Sequence, residues 1–225
     1  CETMPRESVK AKKARVTEIV RRLHEMYPDA TCALNWKTPW ELLAATILSA
    51  QCTDEKVNEV TATLFRKYTG PKAFARANPA ELEQDIRPTG FFRNKTKSLI
   101  GAAQAVVERF AGQVPQTMEE MLTLPGVQRK TANVVLGTAY GVASGITVDT
   151  HVSRNAVRMG LTAAQTTKAV NTERIEQDLL ALVPQEEWIF FGHAMIWHGR
   201  RVCTARKAMC EACRLLDLCP RIGVE

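Results

Sequence analysis

The residues with the most evident chemistry lie at the C-terminal end, where four of the seven cysteines fall within the last 23 residues. Their spacing is Cys203-x6-Cys210-x2-Cys213-x5-Cys219. Four thiolates form a sulfur-only ligand set, which suits zinc or an iron–sulfur cluster. Structural zinc sites usually show two short C-x2–4-C pairs, but this segment has one such pair between wider loops. The wider loops favour a [4Fe-4S] cluster, whose irons lie at separate corners, over zinc.

The remaining cysteines, Cys1, Cys32 and Cys52, are scattered along the chain. An odd number of cysteines with strong clustering argues against a disulfide framework and for a reducing compartment. Residues 1–15 are charged and lead into no apolar stretch, so we expect no secretory signal and take Met4 as the native start.

A second candidate centre is residues 124–132, which join two predicted helices through a short turn at Gly126. Such a turn directs backbone N–H groups and the positive end of the second helix into solvent, which creates an anion site. A net charge of +6 makes a nucleic-acid phosphate the natural anion. The same residues are also compatible with an ordinary connection between helices.

Lys130 follows this turn, in the first turn of the second predicted helix and beside Arg129. The helix dipole and the neighbouring cation both disfavour the charged ammonium, so Lys130 is a candidate nucleophile. Asp149 lies 19 residues downstream and precedes another predicted helix. An aspartate in that position is usually an N-cap, and it gains a catalytic interpretation only if the fold brings it towards Lys130.

The elements that must position these groups are helical. Apolar residues recur at helical spacing along the whole chain, and capping signals at Thr38, Asn78 and Thr117 mark helix starts. We predict Gly70 to end the third helix, and residues 146–149 are the one extended-looking piece. The predicted helices cover residues 16–26, 38–49, 57–68, a short stretch from 78, 99–110, 117–124, 129–140, a stretch from 150, 172–183 and 186–198. The predicted fold class is all-α.

Composition supports a globular protein without a membrane span. The 225 residues are 45% hydrophobic and 24% charged, which allows one large or two modest domains. The most apolar run, residues 40–50, already contains Glu41, Thr46 and Ser49. Basic residues are concentrated in residues 87–97 and 199–214, which favours a polyanionic partner.

Five segments together resemble the helix–hairpin–helix DNA glycosylases, and within them the endonuclease III family. They are Leu-Ser-Ala-Gln-Cys-Thr-Asp at 48–54, Gly-Phe-Phe-Arg-Asn-Lys at 90–95, Leu-Pro-Gly-Val-Gln-Arg-Lys-Thr-Ala-Asn at 124–133, Val-Asp-Thr-His at 148–151 and the four-cysteine segment. The resemblance covers about residues 15 to 220.

This resemblance implies a monomeric base excision repair enzyme at the bacterial nucleoid, in the cytoplasm. It would remove oxidised pyrimidines from double-stranded DNA and cleave the abasic strand by β-elimination. The implied fold has two helical domains with a DNA cleft between them. Residues 33–145 would form a helical barrel with the helix–hairpin–helix at about 117–140, and residues 8–32 with 146–225 would form the iron–sulfur domain.

The resemblance also implies roles for single residues. Lys130 would attack C1′ and form a Schiff base, assisted by Asp149, and C1′ becomes accessible only when the nucleotide is extruded. Gln51 would fill the vacated space and Phe91 would act as an apolar wedge, although Gln51 could instead be a helix C-cap and Phe91 a core residue. Further implied DNA contacts are Gly126, Val127, Gln128, Arg129, Thr150, His151, Arg154, Arg206 and Lys207.

The hairpin departs from the family pattern at Gln128, where the family has glycine. A left-handed backbone there would be strained, whereas a right-handed turn could use the Gln128 amide as a phosphate donor. The connection between Lys130 and Asp149, at residues 141–145, is also longer than the family pattern.

Three other functions fit parts of the sequence. An adenine- or thymine-mismatch DNA glycosylase is the nearest, although an adenine-specific enzyme would lack a lysine at position 130. A non-catalytic iron–sulfur DNA-binding protein would not need both Lys130 and Asp149. A zinc-stabilised helical interaction module would lack visible absorption.

Overall fold

The structure, a computed structural model, describes residues 7–164 and 171–224, so the expected start at Met4 lies outside the described residues. The described residues form eleven α-helices and no named strand, which confirms the all-α prediction. None of these helices is both long and apolar enough to cross a membrane. The helices are α1 (Val9–Met26), α2 (Pro39–Leu48), α3 (Asp54–Lys67), α4 (Gly70–Ala75), α5 (Pro79–Ile86), α6 (Phe92–Arg109), α7 (Met118–Met121), α8 (Arg129–Tyr140), α9 (Thr150–Arg158), α10 (Thr172–Leu180) and α11 (Trp188–Arg201).

The chain divides into two compact units. The first, Cys32–Ser144, contains α2 to α8 around a core that includes Leu43, Phe74 and Leu99. The second consists of the described residues of Cys1–Thr31 and Gly145–Glu225, with α1, α9, α10, α11 and the four-cysteine segment.

Helix α1 belongs to the second unit although it precedes the first in sequence. Its apolar stripe, which includes Ile19 and Leu23, is fully buried in the core of that unit. Two arginines of α1 also bind the C-terminal segment. Arg15 Nη1 donates to the Leu218 carbonyl over 2.8 Å, and Arg22 Nη2 donates to Asp217 Oδ2 over 2.9 Å. The second unit is therefore assembled from both ends of the sequence.

The predicted helix starts follow from their capping residues. Thr38 Oγ1 accepts the Glu41 amide at the start of α2, and Asn78 Oδ1 accepts the Ala80 amide at the start of α5. Thr117 Oγ1 accepts the Glu120 amide in the same way. Each oxygen satisfies an N–H group that has no partner inside its helix.

One local prediction is wrong. Gly70 does not end α3, which stops at Lys67 with Tyr68 as its C-cap. Gly70, at φ +75°, instead begins α4, where Pro71 suits the first turn. Residues 146–149 form no ladder with any described residue. Thr147 passes beside Gly192 of α11, where a Cβ added to Gly192 would lie 3.4 Å from the Thr147 nitrogen, and Asp149 has an extended backbone.

Candidate active site and cysteine-lined cavity

The turn between α7 and α8 depends on Gly126. Its φ of +77° is a conformation that other residues adopt only with strain, and a Cβ there would lie 2.4 Å from Ser98 Cβ on α6. The Val127 side chain is buried in the core of the first unit, which anchors the turn. Glycine is therefore required at position 126 for both conformation and space.

The turn leaves several backbone amides available to bind an anion, but one amide that we expected to be available is not. The Val127 amide donates to the Leu124 carbonyl over 3.1 Å, so Val127 cannot offer its N–H to a phosphate in this conformation. Among the described residues, the amides of Gly126, Gln128 and Lys130 have no acceptor. These three groups precede or begin α8, where the helix dipole favours an anion.

The expected strain at Gln128 is absent. Gln128 has φ −109° and ψ 170°, which is ordinary extended backbone and neither a left-handed nor a right-handed turn. Within the described hairpin residues 124–130, Gly126 is the one with a left-handed backbone, so the chain has already turned when it reaches Gln128. Gln128 is the N-cap of α8, and its side chain accepts no capping hydrogen bond.

This geometry predicts that Gln128→Ser stabilises the protein. A serine hydroxyl in an extended N-cap accepts an amide of the first helical turn, which contributes about 1 kcal/mol to the free energy of unfolding. Urea unfolding at equilibrium measures the change, and Gln113→Ser, in an exposed loop, is the control. Unchanged stability in Gln128→Ser would show that the first amides of α8 do not donate to a side chain at position 128.

Lys130 is an exposed residue of the first turn of α8, as predicted. Among the described residues, none accepts a hydrogen bond from its ammonium group. It lies three residues after Val127, which is buried, so a residue of the core anchors the turn that carries this exposed side chain.

Asp149 is the N-cap of α9. Its Oδ1 accepts the His151 amide over 2.8 Å and the Val152 amide over 2.9 Å. Within the described chain, Oδ2 accepts no hydrogen bond, and the residue is half-buried. One oxygen therefore fixes the carboxylate while the other is available for chemistry. Asp149 lies in the second unit and Lys130 in the first.

Gln51 and Phe91 share an unusual backbone conformation. Their φ angles are +53° and +48°, so both non-glycine residues are left-handed, which costs about 1–2 kcal/mol each. Phe91 is 61% exposed, and this excludes core packing as its role. Helix α2 ends at Leu48 with Ser49 as its C-cap, so Gln51 is not a cap. Strained, exposed residues of this kind are concentrated at functional sites.

The four C-terminal cysteines all line one pocket in the second unit. All four are free thiols, and burial raises the pKa of Cys213 and of Cys219. In the part of the chain that the structure describes, no three histidine, cysteine or acidic side chains converge closely enough for one metal ion. Four thiols around one pocket are a sulfur-only ligand set, which suits zinc or an iron–sulfur cluster.

Histidine 198 closes one side of this cavity. Its Nδ1 lies 3.1 Å from the Tyr27 hydroxyl and its Nε2 lies 3.7 Å from Cys213 Sγ. Burial lowers the pKa of His198 to about 4, so the ring is neutral at neutral pH.

Two arginines of α9 hold the six-residue loop that follows Cys203. Arg154 Nη2 donates to the carbonyls of Gly199 and Cys203 over 2.8 and 2.9 Å. Arg158 Nη1 donates to the Thr204 carbonyl over 2.8 Å and lies 3.3 Å from Cys203 Sγ. The implied contact of Arg154 with DNA stays a prediction. Arg158 was not identified from the sequence, although its spacing of four from Arg154 places both on one helix face.

The remaining implied DNA contacts lie on the surfaces of both units. Arg206 and Lys207 are exposed on the loop between Cys203 and Cys210, where Thr204 Oγ1 accepts the Lys207 amide. Thr150 is exposed at the start of α9 and His151 Nδ1 lies 3.2 Å from Arg154 Nη2. Arg129 is partly exposed beside Lys130.

Comparison with known proteins identifies the family. A model of the HhH-GPD superfamily base excision DNA repair proteins matches residues 44–183. An endonuclease III of Synechocystis sp. is 55% identical over 210 residues, which are 93% of this chain and 94% of the relative. The chain belongs to the endonuclease III family. An endonuclease III of Escherichia coli K12 is 40% identical over 207 residues, which are 92% of this chain and 95% of the relative.

Solved structures agree with this membership of the endonuclease III family. A non-covalent endonuclease III–DNA complex has a TM-score of 0.86 and 41% identity, and covers 93% of this chain and 95% of that one. A trapped covalent endonuclease III–DNA intermediate gives the same score and identity, and covers 93% and 96%. A thermostable thymine-DNA glycosylase, at 22% identity and a TM-score of 0.80, shares the fold.

Proposed function

We propose that this member of the endonuclease III family removes oxidised pyrimidines from double-stranded DNA and then cleaves the abasic strand. The observation that carries the proposal is Lys130, an exposed amine in the first turn of α8, directly after a hairpin with available amides. A protein 41% identical to this chain was solved as a trapped covalent intermediate with DNA. A nucleophilic amine is the group that such an intermediate requires.

In the proposed reaction, the neutral Lys130 amine attacks C1′ of the extruded nucleotide and the bond from C1′ to the damaged base breaks. The base leaves with the electron pair of that bond and takes up a proton. The C1′–O4′ bond then breaks as the nitrogen loses one proton and forms a protonated Schiff base, and O4′ takes up a proton. Removal of a C2′ proton next breaks the C3′–O bond and expels the 3′ phosphate with the electron pair of that bond. Water then adds to C1′ and releases the lysine. We assign to the free Oδ2 of Asp149 either the deprotonation of Lys130 or the stabilisation of positive charge on the sugar.

The hairpin would bind the DNA backbone without reading its sequence. The available amides of Gly126, Gln128 and Lys130 suit a phosphate, and Arg129 adds a cation beside them. We assign Thr150, His151, Arg206 and Lys207 to further backbone contacts, and Gln51 and Phe91 to the space and stack left by the extruded nucleotide.

Cys203, Cys210, Cys213 and Cys219 would hold a [4Fe-4S] cluster. Its role would be structural, because thiolate bonds cross-link the C-terminal segment and Arg158 attaches the loop after Cys203 to α9. The organisms of the relatives are bacterial, which supports action on DNA at the nucleoid, in the bacterial cytoplasm.

The purified protein is expected to be yellow-brown, with absorption near ~400 nm and about four irons per chain. Cys213→Ser should lose the colour and the cooperative melting of the second unit, because that cysteine is one of the cross-links. Cys32→Ser, a half-buried thiol of the first unit, is the control. A colourless, active preparation that contains zinc would contradict the cluster, and an unchanged melting temperature in Cys213→Ser would contradict its structural role.

Borohydride trapping tests the proposed function directly. The protein is mixed with duplexes that carry thymine glycol, an abasic site or adenine opposite 8-oxoguanine, and the covalent adducts are separated by denaturing electrophoresis. Adducts on the first two duplexes support a bifunctional enzyme for oxidised pyrimidines. Excision of adenine without an adduct would instead support a mismatch glycosylase, and binding without either product would support a non-catalytic DNA-binding protein.

A further inference from the structure

Lys95 of α6 is a buried lysine with an unusual set of partners. Its side chain is 5% exposed, and its Nζ donates to the Leu48 carbonyl over 2.8 Å and to the Thr89 carbonyl over 2.7 Å. Within the described residues, no carboxylate pairs with it. Burial lowers the pKa of Lys95, because the charged form has lost water. Two neutral carbonyls are thus the partners of a buried cation.

Both acceptors are the last residues of helical segments. Leu48 ends α2 and Thr89 ends the short 3-10 turn Arg87–Thr89. Carbonyls at helix ends lack donors within their own helix, and a cation near them is favourable. The Lys95 ammonium therefore joins the ends of two helical segments that are 41 residues apart in sequence.

A strained, exposed residue follows each of these two helical segments within three residues. Gln51 follows Leu48 by three residues and Phe91 follows Thr89 by two, and both have a left-handed backbone. The Lys95 backbone amide also donates to the Phe91 carbonyl over 3.1 Å. Strained conformations persist only where the surroundings over-determine them. Lys95 supplies such a constraint to both positions.

We propose that Lys95 is a positioning residue that fixes Gln51 and Phe91 as a pair, so that both side chains enter the DNA together when the damaged nucleotide is extruded. This inference rests on the proposed function. An apolar residue would fill the same space in α6 without the cost of burying an ammonium, so packing alone does not explain a lysine here. What an apolar residue cannot do is bind both carbonyls.

The test compares Lys95→Met with Thr96→Val. Methionine matches the length of lysine but donates no hydrogen bond. Thr96 is the adjacent residue, is 2% exposed, and its Oγ1 has no hydrogen-bond partner, so Thr96→Val is a matched core substitution. Hydrogen exchange without DNA is measured at residues 49–52 and 89–92. We expect faster exchange in both segments in Lys95→Met and no change in Thr96→Val.

The second measurement is single-turnover base excision from a duplex with one thymine glycol. Lys95→Met should slow excision at least about tenfold, because Gln51 and Phe91 would no longer be held in place, and a small displacement of groups that orient a substrate lowers the reaction rate strongly. In a protein that already carries Gln51→Ala and Phe91→Ala, Lys95→Met should lower the excision rate by less than about a further twofold. The reason is that the effects of residues that act through one another are not additive. If Lys95 had a purely structural role, Lys95→Met would lower the excision rate by the same factor in both backgrounds.

The outcomes separate this inference from the proposed function. Unchanged exchange in both segments, or an equal loss in both backgrounds, would overturn the role of Lys95. If Lys95→Met does not fold, Lys95→Arg keeps the charge but changes the donor geometry, and the same additivity test applies to it. If the unmodified protein neither excises nor traps, the proposed function fails, while the exchange experiment still shows whether Lys95 holds the two segments together.

Discussion

Lys130→Ala is expected to give no borohydride-trapped adduct with an abasic-site duplex. The substitution removes the amine that forms the Schiff base, and no other group of the hairpin can replace it. DNA binding should stay within about tenfold, because one exposed cation contributes only ~1 kcal/mol to phosphate affinity. Because Lys130 is exposed and forms no hydrogen bond with a described residue, folding should be unaffected.

Lys72→Ala is the matched control for this prediction. Lys72 is also an exposed lysine, on the short helix α4 of the same unit, so the substitution removes the same charge away from the hairpin. Trapping should persist in Lys72→Ala. An adduct that still forms with Lys130→Ala would assign the Schiff base to another amine.

Asp149→Asn is expected to lower base excision by about 10²-fold or more, the range that a positioned acid or base supplies. The asparagine Oδ1 can accept the same two amides, so α9 keeps its N-cap and the protein keeps its fold. Binding to damaged DNA should be equal or tighter, because a negative charge near phosphates is removed. Single-turnover excision measures the loss of activity, and thermal melting measures whether the fold is kept.

Asp149→Ala extends this prediction by removing the cap as well. It should lose the same activity and in addition about 1 kcal/mol of stability. Asn78→Ala removes an N-cap oxygen that binds two amides at the start of α5, so it should lose similar stability and keep its excision rate. Normal excision by Asp149→Asn would remove the carboxylate from the mechanism.

Local sequence signals predicted the starts of α2, α5 and α7 and the bounds of α8, whereas α1 and α6 each begin seven residues before the predicted stretch. Thr38, Asn78 and Thr117 act within three residues of themselves, so their hydrogen bonds do not depend on the rest of the fold. The conformation of Gln128 was not predictable in the same way. It depends on how completely Gly126 turns the chain, which Ser98 on another helix helps to determine.

Cationic side chains were the least predictable from sequence. Residues 87–97 suggested a basic surface patch, but Lys95 is buried and binds two carbonyls. Its position four residues before Leu99, on the apolar stripe of α6, was the available signal. Arg154 and Arg158 likewise bind carbonyls of a distant loop, and a propensity or charge count cannot show such tertiary contacts.

The assembly of the second unit from both ends of the sequence has a consequence during synthesis on the ribosome. Helix α1 emerges first, but the residues that bury Ile19 and Leu23 follow only after the whole of Cys32–Ser144. At about 5–20 residues per second, the apolar stripe of α1 stays uncovered for on the order of ten seconds. The intervening unit can fold during that time. Nascent α1 therefore exposes apolar side chains during synthesis, and the many charged residues between them favour its solubility until the rest of the second unit follows.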